Sequence, residues 1–423
     1  MNLSRFFLFR RRVDKWVLFV GALAQAVRNG ISGLVTFVFS CIGFYLWAGR
    51  HRSVRPLCRP YHWLALCYVA WSCGLILLRS EHPFHDRQMS YSLLCGFFAF
   101  CGAGMVLIAD PLRSFVLGSR VGVAVAFVIG LGYALFEPIR QGMGGNEAVF
   151  AFTAAISTLA AAIPLKSPPR WAPNGPYYLI AGSLAVLFSE TRAVFVPLLL
   201  AAFVEIGWTL LTRPGRSKSI ALLATAAGIA VLVALPVTRD SLYARLYPVI
   251  DYMVPDRSAA DQNVLSQSDM IRAYLWSGAV KVIAAHPIVG VGSEAKMQEI
   301  IAAQPSPAER PILESFIHTH NAVLDELLND GAVGLIIVIG IFGSITRYLW
   351  AGFESNAERR NLLYFFLVFF SYGMLHNPLL HEMTIATIFF YLGALHATVG
   401  RRRRKQRIGL PSVSPAETSP MPA

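Results

Sequence analysis

The sequence predicts an all-α polytopic membrane protein of about twelve transmembrane helices, with one large extramembrane loop between helices 9 and 10. Three observations predict it. The chain is 55% hydrophobic and 14% charged, with a mean hydropathy of +0.52, where a soluble domain of this size carries about 25% charged residues. Long apolar runs recur between short polar breaks. Lysine and arginine fall unevenly on the two sides that those runs define.

A membrane helix needs about 20 apolar residues. Apolar runs place spans near 14–28, 31–48, 61–79, 90–110, 119–136, 147–163, 176–189, 191–211, 219–237, 321–346, 361–375 and 379–398. The basic start of the chain and Ala22-Leu23-Ala24 mimic a signal peptide. The topology requires that this first span be retained. With the N-terminus cytoplasmic, the inner segments carry 25 Lys/Arg and the short outer loops 5. That asymmetry predicts both termini in the cytoplasm. It also accounts for the net charge of +13: the basicity orients the chain in a membrane and does not imply nucleic acid.

The 238–319 loop holds 7 Lys/Arg against 9 Asp/Glu. Within it, residues 269–285 read as an amphipathic helix with Ile271, Leu275, Ala279 and Val282 on one face, suited to lie at the outer membrane interface. His286-Pro287 stops that helix, and Gly290 and Gly292 form a turn. The membrane domain is expected over 1–400, followed by a basic, disordered cytoplasmic tail over 401–423. The six cysteines, all in the first quarter, read as buried thiols without a disulfide framework.

Residues 316–334, FIHTHNAVLDELLNDGAVG, stand before the tenth span. Thr319 or Asn321 can cap that helix, and Asp325 and Glu326 put negative charge in its first turns. Capping leaves His318 and His320 unexplained. At a helix N-terminus the dipole disfavours imidazolium, keeping a histidine neutral as a general base requires. Gly331 and Gly334 would let a neighbouring helix approach closely. Arg192 lies between two apolar runs, where a charge is costly and by default marks function; an ion pair with Glu190 is the plainer reading. Arg272 sits on the amphipathic helix, where a solvated face is the plainer reading. His376-Asn377-Pro378 repeats the His-Asn pair without the glycines and is left out of the active site. Glu81 to Asp86 reads as a polar loop. No phosphate-binding loop, dinucleotide fingerprint or zinc motif appears.

His320-Asn321, nine residues, then Gly331-Ala332-Val333-Gly334 resembles the H-[NSQ]-x9-G-x-x-G signature of O-antigen ligases, in the ligase/polymerase superfamily. Two further elements precede it in the family's order: Ser189-Glu190-Thr191-Arg192, and Arg272 followed by His286-Pro287-Ile288-Val289-Gly290-Val291-Gly292. Glu190 and Thr191 depart from the small or hydroxyl residues usual there. The resemblance implies a GT-C-like glycosyltransferase of the Gram-negative inner membrane, with its active site facing the periplasm and no metal or cofactor. It implies inverting transfer of a polysaccharide from undecaprenyl pyrophosphate to the lipid A–core oligosaccharide of lipopolysaccharide. His320 would be the base, Arg192 and Arg272 would bind pyrophosphate, His318 and Asn321 would support the acceptor, and Gly331 and Gly334 would serve packing. An O-antigen or exopolysaccharide polymerase is the nearest alternative, a protein-directed oligosaccharyltransferase a third, and a transporter or flippase the reading from another class.

Overall fold

The computed structural model describes residues 3–27, 30–136, 142–143, 145–212, 215–234, 267–303 and 310–407. It is 78% helix, with no strand among the described residues. In chain order the helices are α1 (Leu3–Ala26), α2 (Ile31–Ala48), α3 (Arg59–Arg79), α4 (Arg87–Phe98), α5 (Cys101–Met105), α6 (Pro111–Phe136), α7 (Glu147–Ala162), α8 (Tyr177–Leu187) and α9 (Arg192–Thr212). There follow α10 (Gly215–Ala234), α11 (Gln267–Ala285), α12 (Lys296–Ala302), α13 (Arg310–Leu313), α14 (Ala322–Asn329), α15 (Gly331–Gly352), α16 (Asn356–Gly373) and α17 (Glu382–Arg407). Local chemistry sets several of the starts. Pro60 stands in the first turn of α3, Asp86 caps α4, Asn146 caps α7, and Ser355 with Glu358 forms a reciprocal capping box on α16.

Among the described residues six helices are long and apolar enough to cross a membrane: α2, α3, α6, α9, α15 and α17. Residues 15–26, α7 and α8 are shorter apolar helices. The chain is therefore a polytopic membrane protein by helix length and composition. α17 is the central element, with 89% of its apolar window buried, and it packs on α2, α4, α5, α6, α7 and α15. α7 is buried on every side from Val149 to Ala161. Over these enclosed stretches both helices are apolar all round, as a helix surrounded by others must be. Their hydroxyls turn inward: Ser157 and Thr158 donate to the carbonyls of Thr153 and Ala154.

Five expectations change. The span at 90–110 is two helices, α4 and α5, with the break at Ala99–Phe100, and within α5 the backbone lies so close to α2 that a Cβ on Gly104 would meet Phe39 O at 2.1 Å. The span at 321–346 is also two, α14 and α15, with the break at Asp330–Gly331. The apolar face of α11 does not lie open for a membrane: Leu275, Ala279 and Val282 are buried against Ile300, Leu313 and Leu328. The basic tail is helical to Arg407 and docked as far as Arg404. Arg402 pairs with Glu358 at 2.6 Å, and Arg403 lies 4.2 Å from the centre of the Tyr348 ring. Residues 408–423, and 238–266 and 304–309 of the long loop, lie outside the described residues. Four of the cysteines are buried, whereas Cys41 and Cys67 are exposed on the outside of the bundle.

Candidate active site

The two glycine-bearing motifs lock into one another. Gly331 has φ +69 and Gly290 φ +65, a region other residues rarely adopt. A Cβ on Gly331 would lie 2.1 Å from Ile288 O, and one on Gly290 would lie 2.4 Å from Leu328 O. Through this contact Val291 N and Gly292 N donate to Leu328 O at 2.7 and 3.0 Å, closing the C-terminal end of α14. In return Ala332 N donates to Pro287 O at 2.9 Å at the start of α15. The close approach expected at Gly331 is thus made by the 287–289 backbone and not by a helix. Gly334 faces Asp330 within α14–α15, where a Cβ would meet Asp330 Cβ at 2.3 Å. Arg79, at the end of α3, donates to Val289 O and Gly290 O at 3.0 and 3.3 Å and holds the turn from the other side.

The segment before α14 is bent sharply. Asn321 is the N-cap: its Oδ1 accepts from Val323 N and Leu324 N at 3.0 and 3.1 Å. Thr319 instead donates its hydroxyl to Asn321 O at 3.2 Å. His320 has φ +56, which costs a non-glycine residue about 1–2 kcal/mol. Its surroundings hold it there. Thr319 O accepts from Trp276 Nε1 at 3.0 Å, Thr319 N donates to Asp325 Oδ1 at 2.9 Å, and His320 N donates to His318 Nδ1 at 3.2 Å.

The bend gathers three imidazoles. The His318 and His320 ring centres are 4.2 Å apart, and those of His320 and His376 are 5.9 Å apart. Phe316 meets His320 edge-on at 5.7 Å, and Tyr372 stacks on His376 at 4.9 Å. His376, set aside on its sequence context, therefore lies against the site. Burial is the main cause that lowers the His320 pKa to about 4, reinforced by the charge of Arg272 and by the repulsion that two adjacent imidazoliums, His318 and His320, would feel, and opposed by Asp325. Burial likewise lowers His318 and lowers His376 to about 3. All three imidazoles are neutral at pH 7, and burial, rather than the helix dipole, is the chief reason. Among the described residues His320 Nδ1 is buried without a hydrogen-bond partner.

Asp325, a helix-dipole charge by its place in the sequence, is a hub in the structure. It is 0% exposed and joins three segments: Thr319 N, Asn377 Nδ2 at 3.3 Å and Lys296 Nζ at 3.7 Å. Lys296 is itself only 4% exposed. The one legible signal was Asp325 four residues after Asn321, and a helix-start acid is common enough to hide it. Next to it Glu326 accepts from Tyr68 at 3.2 Å, and Asp330 accepts from Ser72 at 3.1 Å, tying α14 to α3.

Arg272 lies one turn before Trp276 on α11, on the face that meets Thr319, and its charge acts on His320 and His376. Arg192 opens α9, half-buried, directly after Glu190 (φ +57) and Thr191. Its depth follows from α16. Arg360 pairs with Glu205 of α9 at 2.7 Å, and Tyr364 donates to the same carboxylate at 3.0 Å. Arg192 lies thirteen residues before Glu205 and Gly373 thirteen after Arg360, so each stands about 20 Å from that ion pair at 1.5 Å per residue. A Cβ on Gly373 would be 3.5 Å from Ala322 Cβ, and Asn321 Nδ2 lies 4.0 Å from Met374 Sδ. Arg360 lies over the Trp208 ring while Tyr364, one turn later, reaches Glu205, so α9 and α16 run antiparallel and Arg192 lies toward the same end of the bundle as Gly373.

Residues 177–339, from α8 into α15, match the family model described as O-antigen ligase. No curated protein matches the chain. The matched segment contains Arg192, Arg272, the 286–292 turn, the His318–Asn321 bend and Gly331, and over that segment the chain is similar to the O-antigen ligase superfamily.

Proposed function

We propose that the protein is an O-antigen ligase, an inverting and metal-independent glycosyltransferase. It transfers polysaccharide from undecaprenyl pyrophosphate to the lipid A–core oligosaccharide. The observation that carries this reading is the meeting, at one end of the bundle, of a neutral buried imidazole with the Arg272 guanidinium. Arg272 is on a helix pinned to the histidine loop through Trp276. In this reading the chain crosses the inner membrane of a Gram-negative cell twelve times, with both termini in the cytoplasm and the histidines facing the periplasm.

The chemistry follows from the residues. The acceptor hydroxyl attacks the anomeric carbon of the donor. A carbon–oxygen bond forms there as the bond to pyrophosphate breaks on the opposite face. The electron pair leaves with undecaprenyl pyrophosphate, whose charge Arg192 and Arg272 neutralise; a guanidinium binds phosphate oxygens in a fork. The hydroxyl proton passes to His320. Before the donor binds, Arg272 is one of the charges that keep His320 neutral. Bound pyrophosphate offsets that positive charge and raises the basicity of His320, so the base strengthens only when there is a reaction to run. His318 and Asn321 hold the loop. Gly331 and Gly334 keep α14 and α15 against the turn and each other.

Deletion of the gene tests the reading on a gel of lipopolysaccharide and lipid-linked glycan. A ligase loss leaves bare lipid A–core while polymerised lipid-linked chains accumulate. Core bearing a single repeat unit would instead identify a polymerase and overturn the ligase assignment.

A further inference from the structure

His376, in the turn between α16 and α17, lies beside His320 but has no part in the reaction as written above. We propose that His376 is a further catalytic residue, which hydrogen-bonds the acceptor sugar at a hydroxyl next to the one that reacts and so aims the nucleophile at His320. The assignment rests on glycosyl transfer with His320 as base, as argued above.

Three features carry it. The position of the ring is imposed by the fold. Asp325 accepts from Thr319 N, directly before His320, and from Asn377 Nδ2, directly after His376, at 2.9 and 3.3 Å. One buried carboxylate thus sets the spacing of the two rings, whose centres are 5.9 Å apart. Asn377 Oδ1 also accepts from Leu379 N at 2.9 Å, His376 N donates to Tyr372 O at 2.8 Å, and Tyr372 stacks on the ring. A turn tied in this way holds a side chain closely enough to position a reactant.

The ring is also uncommitted. His51, His381 and His396 each accept from a backbone amide through a ring nitrogen. Among the described residues neither His376 nitrogen makes such a bond, and neither is sealed from the outside as His320 Nδ1 is. Finally, the chemistry matches a sugar. A neutral imidazole has one donor and one acceptor, as a hydroxyl does, whereas phosphate calls for donors alone. The Arg272 charge acts on both rings, so a phosphate finds its guanidinium there and the imidazoles are left for hydroxyls. Rings at this spacing can meet neighbouring hydroxyls of one sugar, each through one hydrogen bond of about 2.8 Å. His320 takes the proton of the first hydroxyl; His376 fixes the second and exchanges no proton with it.

The test uses the full-length protein in proteoliposomes, with lipid-linked donor and purified lipid A–core as acceptor. His376→Ala should lower kcat/KM for the acceptor roughly tenfold, as the loss of one hydrogen bond does, and leave the donor KM unchanged. His376→Gln keeps a donor and an acceptor and should recover the acceptor kcat/KM to within about threefold of wild type. His376→Phe keeps the stack on Tyr372 without a nitrogen and should be as slow as His376→Ala. Gln and Phe both fill the space of the ring, so their contrast reads the contact even where the alanine variant is unstable. Wild-type activity in His376→Phe would assign the ring to packing. An unchanged acceptor kcat/KM in His376→Ala, or a raised donor KM in its place, would overturn the contact while leaving the ligase reading intact. That reading falls separately, if only lipid-linked glycan serves as acceptor, and the same three variants then test the contact against that acceptor.

Discussion

Replacing Gly331 by alanine should undock the 286–292 turn from the break between α14 and α15. At φ +69 a side chain costs about 1–2 kcal/mol. The new Cβ would also stand 2.1 Å from Ile288 O, so the turn must withdraw by about 1 Å before ordinary van der Waals contact is restored. That movement breaks Ala332 N to Pro287 O and Val333 N to Ile288 O, each worth about 0.5–1.5 kcal/mol net. Together the cost is about 2–5 kcal/mol. Hydrogen exchange of Val291 and Gly292, whose amides close α14 at Leu328 O, reads it directly, and protection there should fall at least about 30-fold. Transfer activity should fall with it, because the turn carries the chain from α11 towards Lys296. Gly343 on α15 is the control. A Cβ there meets nothing within 4 Å, and Gly343→Ala should be neutral or stabilising by up to about 1 kcal/mol. Exchange at 291–292 within threefold of wild type in Gly331→Ala would refute the interlock.

Asp325→Ala should leave Lys296 buried without its partner and lower stability by about 3–5 kcal/mol. Asp325→Leu with Lys296→Met should recover most of the melting temperature but not activity, since Thr319 N and Asn377 lose their acceptor. Recovery of both would assign Asp325 a purely structural role. On pH, His320 and His376 are lowered in the folded state to about 4 and about 3. Their contribution to stability is therefore complete above about pH 6.5 and lost as pH falls towards those values. Thermal melts between pH 7 and 4 should show this loss, reduced in His376→Ala. For catalysis, kcat/KM for the donor should be flat between pH 6 and 8. The acid limb of kcat should lie at higher pH than that of kcat/KM, because bound pyrophosphate raises the base; coincident limbs would remove that coupling.

Much of this was legible in the residues. Helices α2, α3, α6 and α9 lie close to where apolar runs and their polar flanks put them, and Asn321 caps as its position suggests. Hydropathy missed the break at Asp330–Gly331 because it registers composition, and the cause is a turn forty residues upstream docking its backbone there. The amphipathic pattern of α11 specified a buried face but not what buries it; Leu328 and Ile300 do so as well as lipid would. Residues 401–407 read as the start of a basic, disordered tail, although Arg402 meets Glu358, which also serves the capping box of α16. His376 escaped because proximity in space leaves no mark in spacing: Pro378 and Thr387 spoil the motif while the α16–α17 turn still brings the ring to His320.

The claim that His320 is the base rests most directly on single-turnover transfer by purified protein in proteoliposomes, at saturating lipid A–core, comparing wild type with His320→Ala and Arg272→Ala. With His320 as the base, His320→Ala binds the lipid-linked donor normally but reacts about 10²–10⁴-fold more slowly, whereas Arg272→Ala loses donor affinity as well. A His320→Ala rate within about tenfold of wild type, with the donor bound, would contradict it.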